Sequence, residues 1–191
     1  MNAQKAIYTL AKTAMMIALT VALQYYTGIW SGGNQLLTGS AVNFLLLTSL
    51  LTCGLAGGTA VGAITPLIGL LIGMMPNPLL YPFVAASNVL MLLTFYLFLL
   101  FLKRISFAPV KVVLALIPAC FVKFGAMTFS ASLILPLFMT APQQVKMLEK
   151  IAVSWGVLQL STALLGALLA FLVAMALRNI KINGNKLINY V

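Results

Sequence analysis

The sequence predicts an all-α, polytopic membrane domain over residues 1–191, with six transmembrane helices and both termini cytoplasmic. Three observations carry that prediction. The 191 residues are 63% apolar and only 6% charged, whereas soluble domains hold roughly 45–50% apolar and about 25% charged residues. Six apolar windows of near-membrane length follow one another along the chain. The basic residues also segregate. With the N-terminus inside, Lys5, Lys12, Lys103, Arg104, Lys111, Arg178, Lys181 and Lys186 fall on the cytoplasmic side. Only Lys146 and Lys150 fall outside, which is a strong positive-inside bias.

The spans read as follows. The first runs from about Thr9 to Tyr26; its Lys-then-apolar start resembles a signal peptide, but no small-residue cleavage site follows and five more spans do. The second runs from about Thr38 to Cys53 and the third, short and interrupted by Pro66, from about Gly57 to Gly73. Glycines at 54, 57 and 58 mark the break between them. The fourth, about Leu80 to Leu102, is the cleanest. The fifth covers about Val110 to Ile134 with Pro118 inside, and the sixth about Ala152 to Leu177. Outside the spans only short loops and the tail from Arg178 to Val191 remain, so a single six-helix membrane domain is expected.

The missing residue types exclude much chemistry. Glu149 is the one acid and there is no His. Paired-acid catalysis, His-based triads, and metal sites or proton relays built from acids and imidazoles therefore have no residues to use. No phosphate-binding Gly-rich loop ending in Gly-Lys-Ser/Thr occurs, so the chain cannot hold ATP that way. Cys53 and Cys120 are isolated thiols in apolar segments, read as small buried hydrophobes. No enzyme, cofactor or nucleic-acid partner is expected.

The polar residues inside the spans point instead to a binding pocket. Lys123 lies thirteen residues into the fifth span, or roughly 20 Å at 1.5 Å per residue, which puts it in the outer half of the bilayer. An ammonium there costs at least ~2.5 kcal/mol unless carbonyls, amides or an incoming anion meet it. Asn43, Asn88 and Gln159 sit at comparable depth in three other spans, with Trp155 one turn above Gln159. Each could be an interhelical clasp on its own, worth about 0.6 kcal/mol. Four at one level favour a polar pocket open to the outside. The outer loops offer a lid. Tyr25, Tyr26 and Trp30 precede the uncharged run Ser31 to Gln35, which includes Asn34 and Gln35. Asn77 and Tyr81 belong to a Pro-rich turn on the same side, and a long connection from Pro136 to Lys150 carries both outer lysines.

On the first span, Ala14, Ala18 and Ala22 recur every four residues and form a flat stripe. Such stripes let helix backbones approach closely in lipid, within one chain or between chains.

Taken together the pattern resembles the substrate-binding S components of energy-coupling factor vitamin transporters. The resemblance covers the whole chain. It is carried by Ala14-x-x-x-Ala18-x-x-x-Ala22, by Thr38-Gly39-Ser40-Ala41-Val42-Asn43 and by Pro82-Phe83-Val84-Ala85-Ala86-Ser87-Asn88. Lys123-Phe124-Gly125 and Gln159-Leu160-Ser161-Thr162-Ala163 complete it. It implies a multi-pass protein of the bacterial plasma membrane that captures a vitamin near the outer face and has no energy source of its own. The alanine stripe would dock on a transmembrane scaffold subunit bearing two cytoplasmic ATPases, and the loaded subunit would topple to deliver its ligand inward. A lone Lys among amides, with no pocket acid, suits pantothenate first and amide-rich cobalamin second, and disfavours cationic vitamins. A stand-alone facilitator is the rival reading; it needs polar residues continuing to the inner side, where Leu, Ala and Val dominate.

Overall fold

With no water in a bilayer core, each backbone amide must find its partner within the chain, so apolar sequence of this length folds as helices. The computed structural model describes residues 3–30, 34–75, 77–177, 179, 181–182 and 185–186; for Lys5, Trp30 and residues 181–182 and 185–186 only the backbone is described. The chain runs through α1 (Ala3–Trp30), α2 (Gln35–Leu71), α3 (Leu80–Phe101), a 3-10 turn (Leu102–Arg104) and α4 (Ala108–Phe129). A π turn (Ser130–Ile134), α5 (Leu135–Phe138), α6 (Pro142–Trp155) and α7 (Val157–Leu177) follow. The tail adds a two-residue ladder pairing Lys181 with Lys186.

Five helical runs are long and apolar enough to cross a membrane, where six spans are expected. The difference is one residue wide. The second and third spans form one run, α2, broken at Gly54, whose φ of 78° and ψ of −178° leave the helical region. A Cβ on Gly58 would lie 2.7 Å from Leu50 Cα, whereas residues eight apart in a straight helix are about 12 Å apart. The two arms of α2 therefore fold back on each other at Gly54. Only glycine takes that positive φ without strain, and only glycine at 58 lets the arms close.

The folded-back α2 is the centre of the bundle, packed against α1, α3 and α7, while α4 packs on α3 and α7. α7 runs alongside the first arm in the same direction. Gly166 is so close to it that a Cβ would meet Ser40 O at 2.7 Å and Asn43 Cβ at 2.6 Å. Lys12 near the start of α1 donates to Thr52 O beside the Gly54 turn (3.4 Å). α1 thus begins, and α7 ends, at the same end of the bundle. α1 shows α2 a face of threonines: Thr13, Thr20 and Thr27 are buried, and each hydroxyl donates to a carbonyl of its own helix at 2.6–2.9 Å.

Two further differences lie near the opposite end. The sixth span breaks at Gly156, so Trp155 closes α6 instead of belonging to α7. The connection expected as a loop from Pro136 to Lys150 is largely helical, and it carries Glu149. Pro142 starts α6 where its missing N–H costs nothing, and Gln144 Oε1 accepts the Ala141 N–H at 3.2 Å. Averaged over a membrane-length window, its alternating polar and apolar turns look like loop. Taken at helical period, they form two faces.

The close approach at Gly166 has a measurable consequence. Gly166→Ala should force α7 away from α2 and lower thermal stability in detergent by about 1–3 kcal/mol, the usual cost of overpacking. Gly125→Ala, where nothing lies within 4 Å of the added Cβ, should be neutral or stabilising by a few tenths of a kcal/mol. Equal melting shifts for the two variants would contradict the packing described.

Candidate functional site

The layer at the base of the bundle is solid. Leu46, Leu47 and Leu50 of α2, Met91, Leu92 and Phe95 of α3, Ala115 and Ala119 of α4, and Ala163 and Ala174 of α7 are closed to solvent or nearly so. Above this layer the packing opens into a cavity of about 700 Å³, within the 300–1,000 Å³ typical of small-molecule sites. Its walls come from α1, both arms of α2, α3, α4, α6 and α7.

Lys123 forms the floor and is only 3% exposed. Its Nζ donates to Asn43 Oδ1 at 2.5 Å and to Asn88 Oδ1 at 2.6 Å. Each amide then donates onward: Asn88 Nδ2 to Gly62 O (3.1 Å), Asn43 Nδ2 to Thr162 Oγ1 (3.4 Å). Thr162 in turn donates to Gln159 O at 2.9 Å. One ammonium therefore joins α4 to the first arm of α2 and to α3, and through the amides to the second arm and α7. The partners open to Lys123 in the sequence were amides, carbonyls or an anion; the protein supplies amides. An ammonium has three hydrogens to donate, and two have partners among the described residues.

The rest of the cavity is a mixture of neutral polar and apolar groups. Gln159 (4% exposed) and Thr65 (1% exposed) line it. Thr65 Oγ1 has no hydrogen-bond partner, and neither does the Gln159 side-chain amide, among the described residues. Met74, Met75, Met127 and Met147, with Trp155, supply much of the apolar wall. Lys146 and Lys150 of α6 stand exposed at the rim. Glu149 is exposed and is not among the lining residues, so the wall holds three lysines and no carboxylate.

Of the residues singled out in the sequence, the cavity brings together Asn43, Asn88, Lys123, Gln159, Trp155 and Gln35. Others it leaves out. Asn34 caps α2, accepting the Leu36 N–H at 2.9 Å, and Asn77 accepts the Leu79 N–H at the same distance. These short amides read as ligand contacts in sequence but serve turns, the role Asn plays most readily. Tyr26 is exposed and Tyr81 half-buried, neither in the wall. The side chain of Trp30 and residues 31–33 of the proposed lid lie outside the described residues. Ala14, Ala18 and Ala22 are all exposed, so the stripe lies on the open face of α1.

Sequence reasoning missed Gln24, Thr38, Thr65, Lys146 and Lys150 as wall residues. Gln24 shares the helical register of Thr13, Thr20 and Thr27, and that register was the available signal. For α6 the signal was the spacing of residues 143, 146, 147, 150, 151 and 154, one face of a helix.

Comparison with known proteins gives no matching family model, no matching curated protein and no matching solved structure. The chain is a helical membrane protein with a polar, acid-free cavity at one end of its bundle, and the site stands on its own geometry.

The Lys123 junction can be tested without any ligand. Asn88→Ala removes one acceptor from a buried ammonium and should lower stability in detergent by about 1.5–3 kcal/mol, the range for hydrogen bonds to charged groups. In a Lys123→Met background the same change should cost much less, because no ammonium remains to be partnered. Equal losses in both backgrounds would show that the contact holds no energy.

Proposed function

We propose that this protein is the substrate-capturing subunit of an energy-coupled vitamin importer, of the S-component type that its sequence resembles. It takes a small organic anion, with pantothenate the first candidate, from the outer face. The observation that carries this reading is the acid-free cavity floored by Lys123 above a solid apolar base. In this reading the Gly54 hairpin lies at the cytoplasmic surface, the two arms of α2 are separate crossings, and the chain makes six. Both termini then face the cytoplasm, as the distribution of lysines and arginines favours. The cavity opens outward.

The division of the bundle supports capture over passage. A channel or facilitator needs polar groups through to the inner side, and the base layer offers leucine, alanine and phenylalanine instead. A bound ligand can leave inward only if the whole subunit moves or its helices part, and both need energy from elsewhere. The outward-facing stripe of Ala14, Ala18 and Ala22 is where a scaffold subunit carrying two ATPases would dock, since small side chains let another helix come close. The cavity volume favours pantothenate over cobalamin, whose corrin ring and nucleotide tail would project from a space of about 700 Å³.

Two experiments test the reading. Reconstituted alone in vesicles, the chain should bind pantothenate yet show no uphill uptake with ATP or a proton gradient; concentrative uptake by the isolated chain would contradict it. Ala18→Trp should abolish uptake with the coupling module while leaving ligand affinity within a few-fold. Lost affinity with intact assembly would mean that the stripe serves the fold of this chain.

A further inference from the structure

The three lysines of the cavity stand in unequal circumstances. Lys123 is sealed at the floor with two amide oxygens already on it. A carboxylate reaching it would have to be stripped of water, which is costly even for a paired charge. Lys146 and Lys150 are exposed at the rim, one helical turn apart on the face of α6 that lines the cavity. Like charges at that spacing repel. The chain's one acid, Glu149, is exposed and outside the lining. An anion placed between these two lysines relieves their repulsion and keeps part of its hydration.

The floor suits the other end of a ligand. Gln159 and Thr65 are buried, face the cavity and lack partners among the described residues. A neutral amide or hydroxyl satisfies such groups at little desolvation cost. Met127 and Met147 offer an adaptable apolar wall between floor and rim.

We propose that Lys146 and Lys150 are the anion-recognising residues of this site, so that the ligand sits with its uncharged end at Gln159 and Thr65 and its charged group under α6. Lys123 is a positioning residue that holds the amides of the floor. The ligand class that follows is a small organic anion with an uncharged hydrogen-bonding and aliphatic body. This inference rests on the capture reading above and adds which residues read the charge.

The test uses the full chain in detergent, with pantothenate and its uncharged alcohol analogue pantothenol as probes. The wild type should prefer pantothenate, and its affinity should weaken with added salt. Lys146→Gln with Lys150→Gln should cost pantothenate roughly ten- to hundred-fold, the equivalent of losing a charge-assisted hydrogen bond. It should barely change pantothenol binding and should remove most of the salt dependence. Lys111→Gln, exposing the same change at the other end of the bundle, should alter nothing. Equal losses for both probes, or a preference abolished by Lys123→Met but not by the α6 pair, would overturn the assignment while leaving capture intact. If neither probe binds, and biotin and nicotinate do not bind either, the capture reading itself fails and takes this inference with it.

Discussion

The fold depends on what is done with one charge. An ammonium in the middle of a membrane helix costs about 2.5–3.5 kcal/mol, and this chain has no buried carboxylate with which to offset it. The solution is dipolar. Asn43 and Asn88 turn their amide oxygens to Lys123 and pass their own hydrogens to Thr162 and Gly62. That arrangement fixes the spacing of five helical segments at one depth. It also requires the two arms of α2 to lie side by side, since Asn43 is on the first and Gly62 on the second. The hairpin at Gly54 and the glycine contact at position 58 are what make that possible.

Placing the charge there divides the molecule. Below it, aliphatic and aromatic side chains close the bundle as in any well-packed core. Above it, polar groups that cannot pack against one another without loss leave a space, and α6 lies across its edge. The two regions do separate work. In the proposed role, the closed base keeps solutes from crossing the membrane, and the floor of Lys123 and amides with its two rim lysines selects what is held. Neither region contains a group able to drive movement, which is why the proposed role needs partners.

Much of this was legible in the sequence. Lys123, Asn43, Asn88 and Gln159 announce themselves because strong polar groups within apolar spans are expensive and must be compensated. The same rule has no hold outside the spans, where polarity costs nothing: Asn34 caps α2 and Asn77 closes the turn ahead of α3. It failed in the opposite sense for Lys146 and Lys150, whose positions fitted a simple topological role, so that a cavity-facing one went unseen. The glycine break in α2 was visible, but not that the backbone would turn back within one residue while remaining helical on either side. The amphipathic α6 was hidden because windows that detect membrane spans average over both faces of a short helix.

The central claim is that this chain by itself holds one small organic anion in the acid-free cavity. The most direct measurement is native mass spectrometry of the full chain, extracted in mild detergent from cells supplied with vitamins. The account predicts one bound molecule per chain, anionic, small enough for about 700 Å³, and released when Lys146 and Lys150 are both replaced by glutamine. Retention of a cationic compound, or of a ligand indifferent to those lysines and to Lys123, would contradict it.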